Sequence, residues 1–315
     1  MSIVAVTGAS GYIGTALTAL LAERWTVRPV ERARLASLRR SDWSDVDAVV
    51  HLSAQTNLRF AEANPADDER ANVDSMRAVL AAARPGTRVV FASTATIAGI
   101  ASHVDPTTPD APITVYDRHK LAAEQLLARA TERGDVRGVS LRLANVFGFG
   151  VASRNSARSV LNLMIRRAFT GEPLTIFGEG QYLRDFIHLS DVVTAFLAAL
   201  ACPATGPFPI GTGTGTSLAG CFAIVAEEAE RITGRKVPVT HVAEPPDLHA
   251  IERRSAVVDP AAFVAASGWH PRTSLREGIR RDLTTIAAAA SQAGVPGTVA
   301  TAPISGAGSK GAITP

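Results

Sequence analysis

Short β-branched runs alternate with longer amphipathic stretches through the first 144 residues of the chain, the rhythm of strands joined by crossover helices in a parallel sheet. Ile3-Val4-Ala5-Val6 predicts a first strand buried on both faces, and the pattern after it predicts a helix over 13–23. Further strands are expected over 26–30, 47–52, 88–92 and 136–143. Between the strands expected at 47–52 and 88–92, residues 72–83 predict a helix, because Val73, Met76, Val79 and Leu80 fall on one face.

From Asn145 the pattern changes, and glycines and prolines punctuate shorter elements at 171–173, 177–180 and 211–216. Helices are expected near 156–169, 218–233 and 274–290, with one at 190–201 rejoining the first unit. The fold class expected is therefore α/β: a Rossmann, doubly wound parallel sheet with helices on both faces, plus a smaller C-terminal α/β lobe. Residues 1–144 form the first domain, to which 185–202 return, and 145–184 with 203–290 form the second lobe. No repeat of solenoid period is evident. Residues 291–315, dominated by Ala, Gly, Ser, Thr and Pro, are expected to form a disordered tail.

With 46% apolar and 19% charged residues, the 315-residue chain can bury a substantial core. A net charge of +3 with dispersed arginines gives no basic face, so nucleic acid is not an expected partner. No apolar run has the length to span a bilayer, and the start MSIVAVTGAS lacks a signal-peptide layout; a cytoplasmic protein is expected. Cys202 and Cys221 stand at neither metal-binding nor redox spacing, so two reduced thiols and no metal site are expected.

Gly8, Gly11 and Gly14 in TGASGYIG follow the first strand and open the first helix. That placement suits a tight turn, close backbone approach to a pyrophosphate and close helix–strand packing, with the helix N-terminus facing the phosphates. Tyr12 and Ile13 lie in the same loop. Glu31, at the end of the second strand, is the acidic residue expected to meet an adenosine ribose 2′-hydroxyl, which favours NAD. Arg32 follows at once and could hold a 2′-phosphate, which leaves NADP open.

Tyr116 and Lys120 stand four apart, one helical turn on the same face. An ammonium beside a phenol favours the phenolate and makes it usable as an acid or base near neutral pH. The fourth strand ends in VVFASTATIAG, bringing Ser93 and Thr94 to the carboxyl edge of the sheet. With these motifs the chain resembles the extended short-chain dehydrogenase/reductase family, in its nucleotide-sugar epimerase, dehydratase and 4-ketoreductase branch, from Ser2 to about Leu283. The resemblance implies that Thr94 hydrogen-bonds the reacting oxygen, that Tyr116 is the acid/base, and that Lys120 tunes Tyr116 and holds the nicotinamide ribose. It also implies cofactor contacts from Asp42 and Trp43 near the adenine, from Leu52, Ser53, Ala54 and Gln55 beside the pyrophosphate and ribose, and from Asn72 and Ser93. Substrate contacts are implied at Asn145 and Arg254 (Arg253 being the competing alignment), at Arg184 on a phosphate, and at Leu174 and Phe177 near the base. The substrate implied is a UDP- or dTDP-linked sugar. A homodimer through two helices of the first domain is implied as well; Leu121, Leu126 and Leu127 could contribute or serve equally as core.

The departures narrow the chemistry. Ala95 and Thr96 follow Thr94 where sugar 4,6-dehydratases carry Asp-Glu, and the glutamate of decarboxylating relatives is missing. Ala98 replaces a usual tyrosine. A 4-epimerase, in which hydride passes to NAD and returns to the other face, ranks slightly ahead of a 4-ketoreductase. A non-catalytic dinucleotide-binding protein ranks third, because the triad is complete.

Overall fold

The computed structural model describes residues 2–149, 159–246 and 248–292. Val4, Ala5, Val6, Val49, Val50, Val89 and Val90 are all buried; such unbroken apolar runs fit strands covered by helices on both faces. Six parallel strands form the main sheet. From one edge they run Gly206–Ile210, Val136–Leu143, Thr87–Thr94, Ala48–His51, Ile3–Thr7 and Thr26–Val30. Thr7 sits in register with both Val30 and His51. The chain leaves the first strand to one side and later returns on the other, so a crevice opens at the carboxyl ends, where doubly wound sheets bind ligands.

One face of the sheet is packed by the helices Tyr12–Leu21 and Leu189–Ala201 through Leu17, Leu21, Val192 and Phe196. The other face is packed by Ser75–Ala82 and Val115–Glu132 through Met76, Val79, Ala123 and Leu127. Leu127 is thus core. The helix predicted over 72–83 begins earlier than expected, through short helices Leu58–Ala63 and Pro65–Glu69 and a wide helical turn Arg70–Asp74.

The second lobe gathers the helices Val160–Thr170, Leu218–Thr233 and Leu275–Gln292 around Ile165, Phe169, Phe222, Val225 and Leu283. Its domain boundary differs from the expected one. Gly206–Ile210 pairs with the fifth strand, and Phe263 and Trp269 join the main core, so parts of 203–290 belong to the first domain. The pairing was hidden because Pro207 and Pro209 make that strand read as a loop, yet they are tolerable on a sheet edge. Of 185–202 the helix returns and Ile187 packs into the main core, while the strand Leu183–His188 pairs with Asn145–Phe147 and Gly215–Ser217. The tail expected over 291–315 lies, beyond Gln292, outside the described residues, as does 156–158 of the predicted helix. Among the described residues no helix is long and apolar enough to cross a membrane.

Candidate active site

The glycine loop is shaped by what a side chain would strike. Gly8 has φ +69°, and a Cβ there would stand 2.8 Å from the Ser53 amide nitrogen; one at Gly14 would run into the Gly8 carbonyl oxygen. Gly11 caps the helix Tyr12–Leu21 with no side-chain acceptor. The first-turn amides of Tyr12, Ile13 and Gly14 therefore face the crevice end with the positive end of the helix dipole, which fits a pyrophosphate. Tyr12 contributes only its backbone there, because its hydroxyl donates to the Gly148 carbonyl at 2.7 Å and accepts from Asn162.

Thr7 Oγ1 takes the amides of Leu52 and Ser53 and meets His51 Nδ1 at 2.7 Å, which fixes the loop beside the glycines. Burial and then the Lys120 charge push His51 down to about 3, so it is a neutral strut. Asn72 donates to the Gln55 carbonyl, and its Oδ1 is buried without a partner. Ser93 Oγ is likewise buried and unpartnered. Such orphaned acceptors and hydroxyls at the sheet edge fit the polar groups of a dinucleotide. Arg32 reaches across to the Ala54 carbonyl at 2.7 Å, beside Glu31 at the end of the second strand. Asp42 caps a short turn by accepting from the Arg39 amide.

Tyr116 and Lys120 lie in the first two turns of Val115–Glu132, a helix capped by Thr114. Thr94 ends the fourth strand, and its side chain acts on Tyr116 in favour of the phenolate. Lys120 is almost fully buried; its ammonium donates to the Ala92 carbonyl at 2.6 Å and sits 4.0 Å from the Phe91 ring centre. Burial lowers it to about 7 against the pull of Glu124 and Asp68. The expected tuning of Tyr116 is not the dominant effect. Burial first, then the Asp117 and Asp68 carboxylates, push the phenol above its ordinary value, and only Thr94 pulls the other way. In the protein itself Tyr116 is a phenol, an acid ready to give a proton.

A small cleft opens next to this group, lined by Thr94, Thr96, Leu143, Asn145, Arg254 and Val258 among others. Arg254 is pulled down to about 10, first by burial and then by Arg184, while Asp117 and Glu252 oppose the fall. Asn145 donates to the Asp185 carbonyl at 3.0 Å. Phe177 is exposed at the end of its strand.

Three expected contacts are corrected. Trp43 is buried among Val46, Met76 and Val79, and Leu174 is fully buried in the second lobe, so both side chains are core. Arg184 is also buried, with its guanidinium donating to the carbonyls of Leu183, Glu252 and Arg254. It braces the segment that carries Arg254. Arg253, the competing alignment, pairs with Glu244 on the surface.

Two aspartates beside the cleft went unread. Asp117 reads as the third residue of a Thr-x-x-Asp cap, and Thr114 does accept its amide at 3.0 Å. Its carboxylate, however, accepts from the Thr96 hydroxyl. Asp185 accepts the amides of Thr212, Gly213 and Val258, so the GTGTGT run wraps a buried carboxylate. A signal was present: a lone aspartate inside an apolar strand needs donors when it is buried.

Residues 4–211 match the NAD dependent epimerase/dehydratase family. The chain belongs to this family. Within the family it is 30% identical over 279 residues to a UDP-glucose 4-epimerase of Azospirillum brasilense, covering 80% of this chain and 77% of that protein. It is 32% identical over 184 residues to a dTDP-6-deoxy-L-talose 4-dehydrogenase (NAD(P)(+)) of Kitasatospora kifunensis, covering 55% of this chain and 53% of the relative. Among solved structures, the Thermus thermophilus UDP-glucose 4-epimerase in complex with NAD superposes with a TM-score of 0.76 at 26% identity, over 91% of this chain and 99% of that one. The family and the fold agree with an enzyme of NAD-dependent nucleotide-sugar chemistry.

Proposed function

We propose that this enzyme is an NAD-dependent nucleotide-sugar 4-epimerase that acts on a UDP- or dTDP-linked hexose. The observation that carries the reading is the gathering of Thr94, Tyr116 and Lys120 at the carboxyl edge of the sheet, with a cleft lined by Thr94 and Arg254 next to them. NAD, when bound, supplies the acceptor and donor of the hydride. The first-turn amides at 12–14 bind its pyrophosphate, and Glu31 orients the adenosine ribose. Lys120 orients the other ribose with the ammonium protons not used on Ala92. Tyr116 moves the proton at the sugar C4 oxygen: the positive nicotinamide of bound NAD would favour its phenolate, which takes the proton as the alcohol is oxidised and gives it back on return. Arg254 binds the diphosphate, and Phe177 offers an exposed ring to the base. The Azospirillum relative supports the epimerase over most of the chain's length.

A second reading, a 4-ketoreductase or 4-dehydrogenase using NADP, is favoured by Arg32 on the Ala54 carbonyl and by the Kitasatospora relative. The test is direct. Purified protein is denatured and any released dinucleotide identified. Native protein is then assayed with UDP-glucose and UDP-galactose without added cofactor, and with dTDP-4-keto-6-deoxyglucose plus NADPH. Interconversion of the UDP-sugars with bound NAD and no net cofactor consumption is expected; NADPH consumption confined to the keto sugar would reject epimerisation. Tyr116→Phe should cut turnover by roughly a thousandfold, the scale of general acid–base catalysis. Unchanged turnover would remove Tyr116 from the chemistry.

A further inference from the structure

The hydroxyl of Thr94 does not stand alone. It lies 2.7 Å from the Thr96 hydroxyl, and the Thr96 hydroxyl donates to Asp117 Oδ1. Asp117 is fully buried, and its other oxygen, Oδ2, has no hydrogen-bond partner. The line Thr94–Thr96–Asp117 therefore joins the threonine beside the proposed acid/base to a sealed carboxylate.

Counting protons fixes the direction of this line. Thr96 has one hydroxyl proton, and it goes to Asp117. Thr94 must then be the donor in its bond with Thr96. The Thr96 amide donates to Thr94 Oγ1 at 3.2 Å and occupies one of its lone pairs. What Thr94 has left to offer the cleft is a single lone pair. A group so committed can accept from an alcohol at the reacting carbon, but it has no proton for a ketone.

We propose that Asp117 is a positioning residue which, through Thr96, makes Thr94 a hydrogen-bond acceptor and so makes the site select an alcohol over a ketone at the reacting carbon. The inference rests on the epimerase reading, and it gives a reason why this site takes a reduced sugar from solution. Protonation of Asp117 reverses the line: the acid donates to Thr96, Thr96 to Thr94, and Thr94 outward. Burial raises Asp117 above its ordinary value, while its hydrogen bonds with Thr96 and Thr114 and the charge of Arg254 hold it down. The charged and titratable groups that act on it are Arg254 from the 250–254 segment and Tyr116 beside it on its own helix.

The test compares, in the full-length enzyme, oxidative turnover of UDP-glucose with reductive turnover of dTDP-4-keto-6-deoxyglucose, each against pH. Thr96→Val, nearly isosteric, should shift the oxidative-to-reductive ratio about tenfold toward reduction, the weight of one hydrogen bond in a charged network. KM for either sugar nucleotide should stay within about twofold, because no phosphate or base contact is touched. Thr96→Ser should restore the wild-type ratio. In the wild type, oxidative turnover should fall as acid protonates Asp117; Asp117→Asn and Thr96→Val should both lose that acid limb. A ratio and pH profile unmoved in Thr96→Val would overturn the proposal even if Asp117→Asn failed to fold. Loss of turnover in Tyr116→Phe beside an unmoved Thr96→Val rejects only the role of Asp117. Full turnover in Tyr116→Phe would instead reject the reading of the site.

Discussion

Burial lowers Lys120 to about 7 from its ordinary 10.5. Between those values the unfolded lysine holds its proton while the folded one has largely lost it. The unfolded state thus binds more protons, and stability rises with pH across that window; below about 7 the whole cost of burying the charge is present. In cofactor-stripped protein, Lys120→Met is expected to flatten the rise of Tm between pH 7 and 10, read by thermal melts across a pH series. At this scale the triad was legible because Tyr-x-x-x-Lys and a strand-ending Thr each carry a spacing. Trp43 and Leu174 were misread because an apolar residue in a binding segment has the same sequence signature as one in the core. Arg184 was misread because spacing says nothing about whether a guanidinium points at a phosphate or at its own backbone. Asp117 was invisible for a related reason: its amide satisfies the cap pattern while its carboxylate does something else.

The helix Val115–Glu132 carries most of the site, and one buried contact ties it to the sheet. Arg142 on the fifth strand donates to both oxygens of Glu124, at 2.6 Å for the closest pair, and to Asp110 at 2.7 Å. Glu124→Ala would leave a buried guanidinium held only by the half-exposed Asp110. A loss of about 3 kcal/mol in chemical denaturation is expected, as for other broken buried pairs. Turnover should fall with it as the triad loses its footing. The strands with β-branched runs were read within one or two residues, since burial on both faces leaves them little choice of residue. The strand Gly206–Ile210 escaped because its two prolines carry a loop signal, and only its edge position, a property of the finished sheet, makes them acceptable.

Across the whole molecule, the two lobes meet over short polar contacts close to the dinucleotide loop. Tyr12 Oη donates to the Gly148 carbonyl at 2.7 Å and accepts from Asn162 Nδ2 at 3.2 Å. Sequence rhythm marks a change at Asn145, but it could not show which segments cross back, because nothing local encodes a contact between residues so far apart along the chain. Tyr12→Phe removes these contacts and is expected to cost about 1 kcal/mol in unfolding. The same hydroxyl has a further consequence. It hangs from the helix whose first amides face the pyrophosphate site, and it grips the strand end that leads into the sugar lobe. A movement of the second lobe away from the sheet would either break that bond or drag the helix with it. A bond so placed would couple the two binding events, and coupling is reciprocal: whatever factor a bound sugar nucleotide added to the grip on NAD, bound NAD would add to the grip on the sugar. In Tyr12→Phe that shared factor should shrink toward one, in both directions at once.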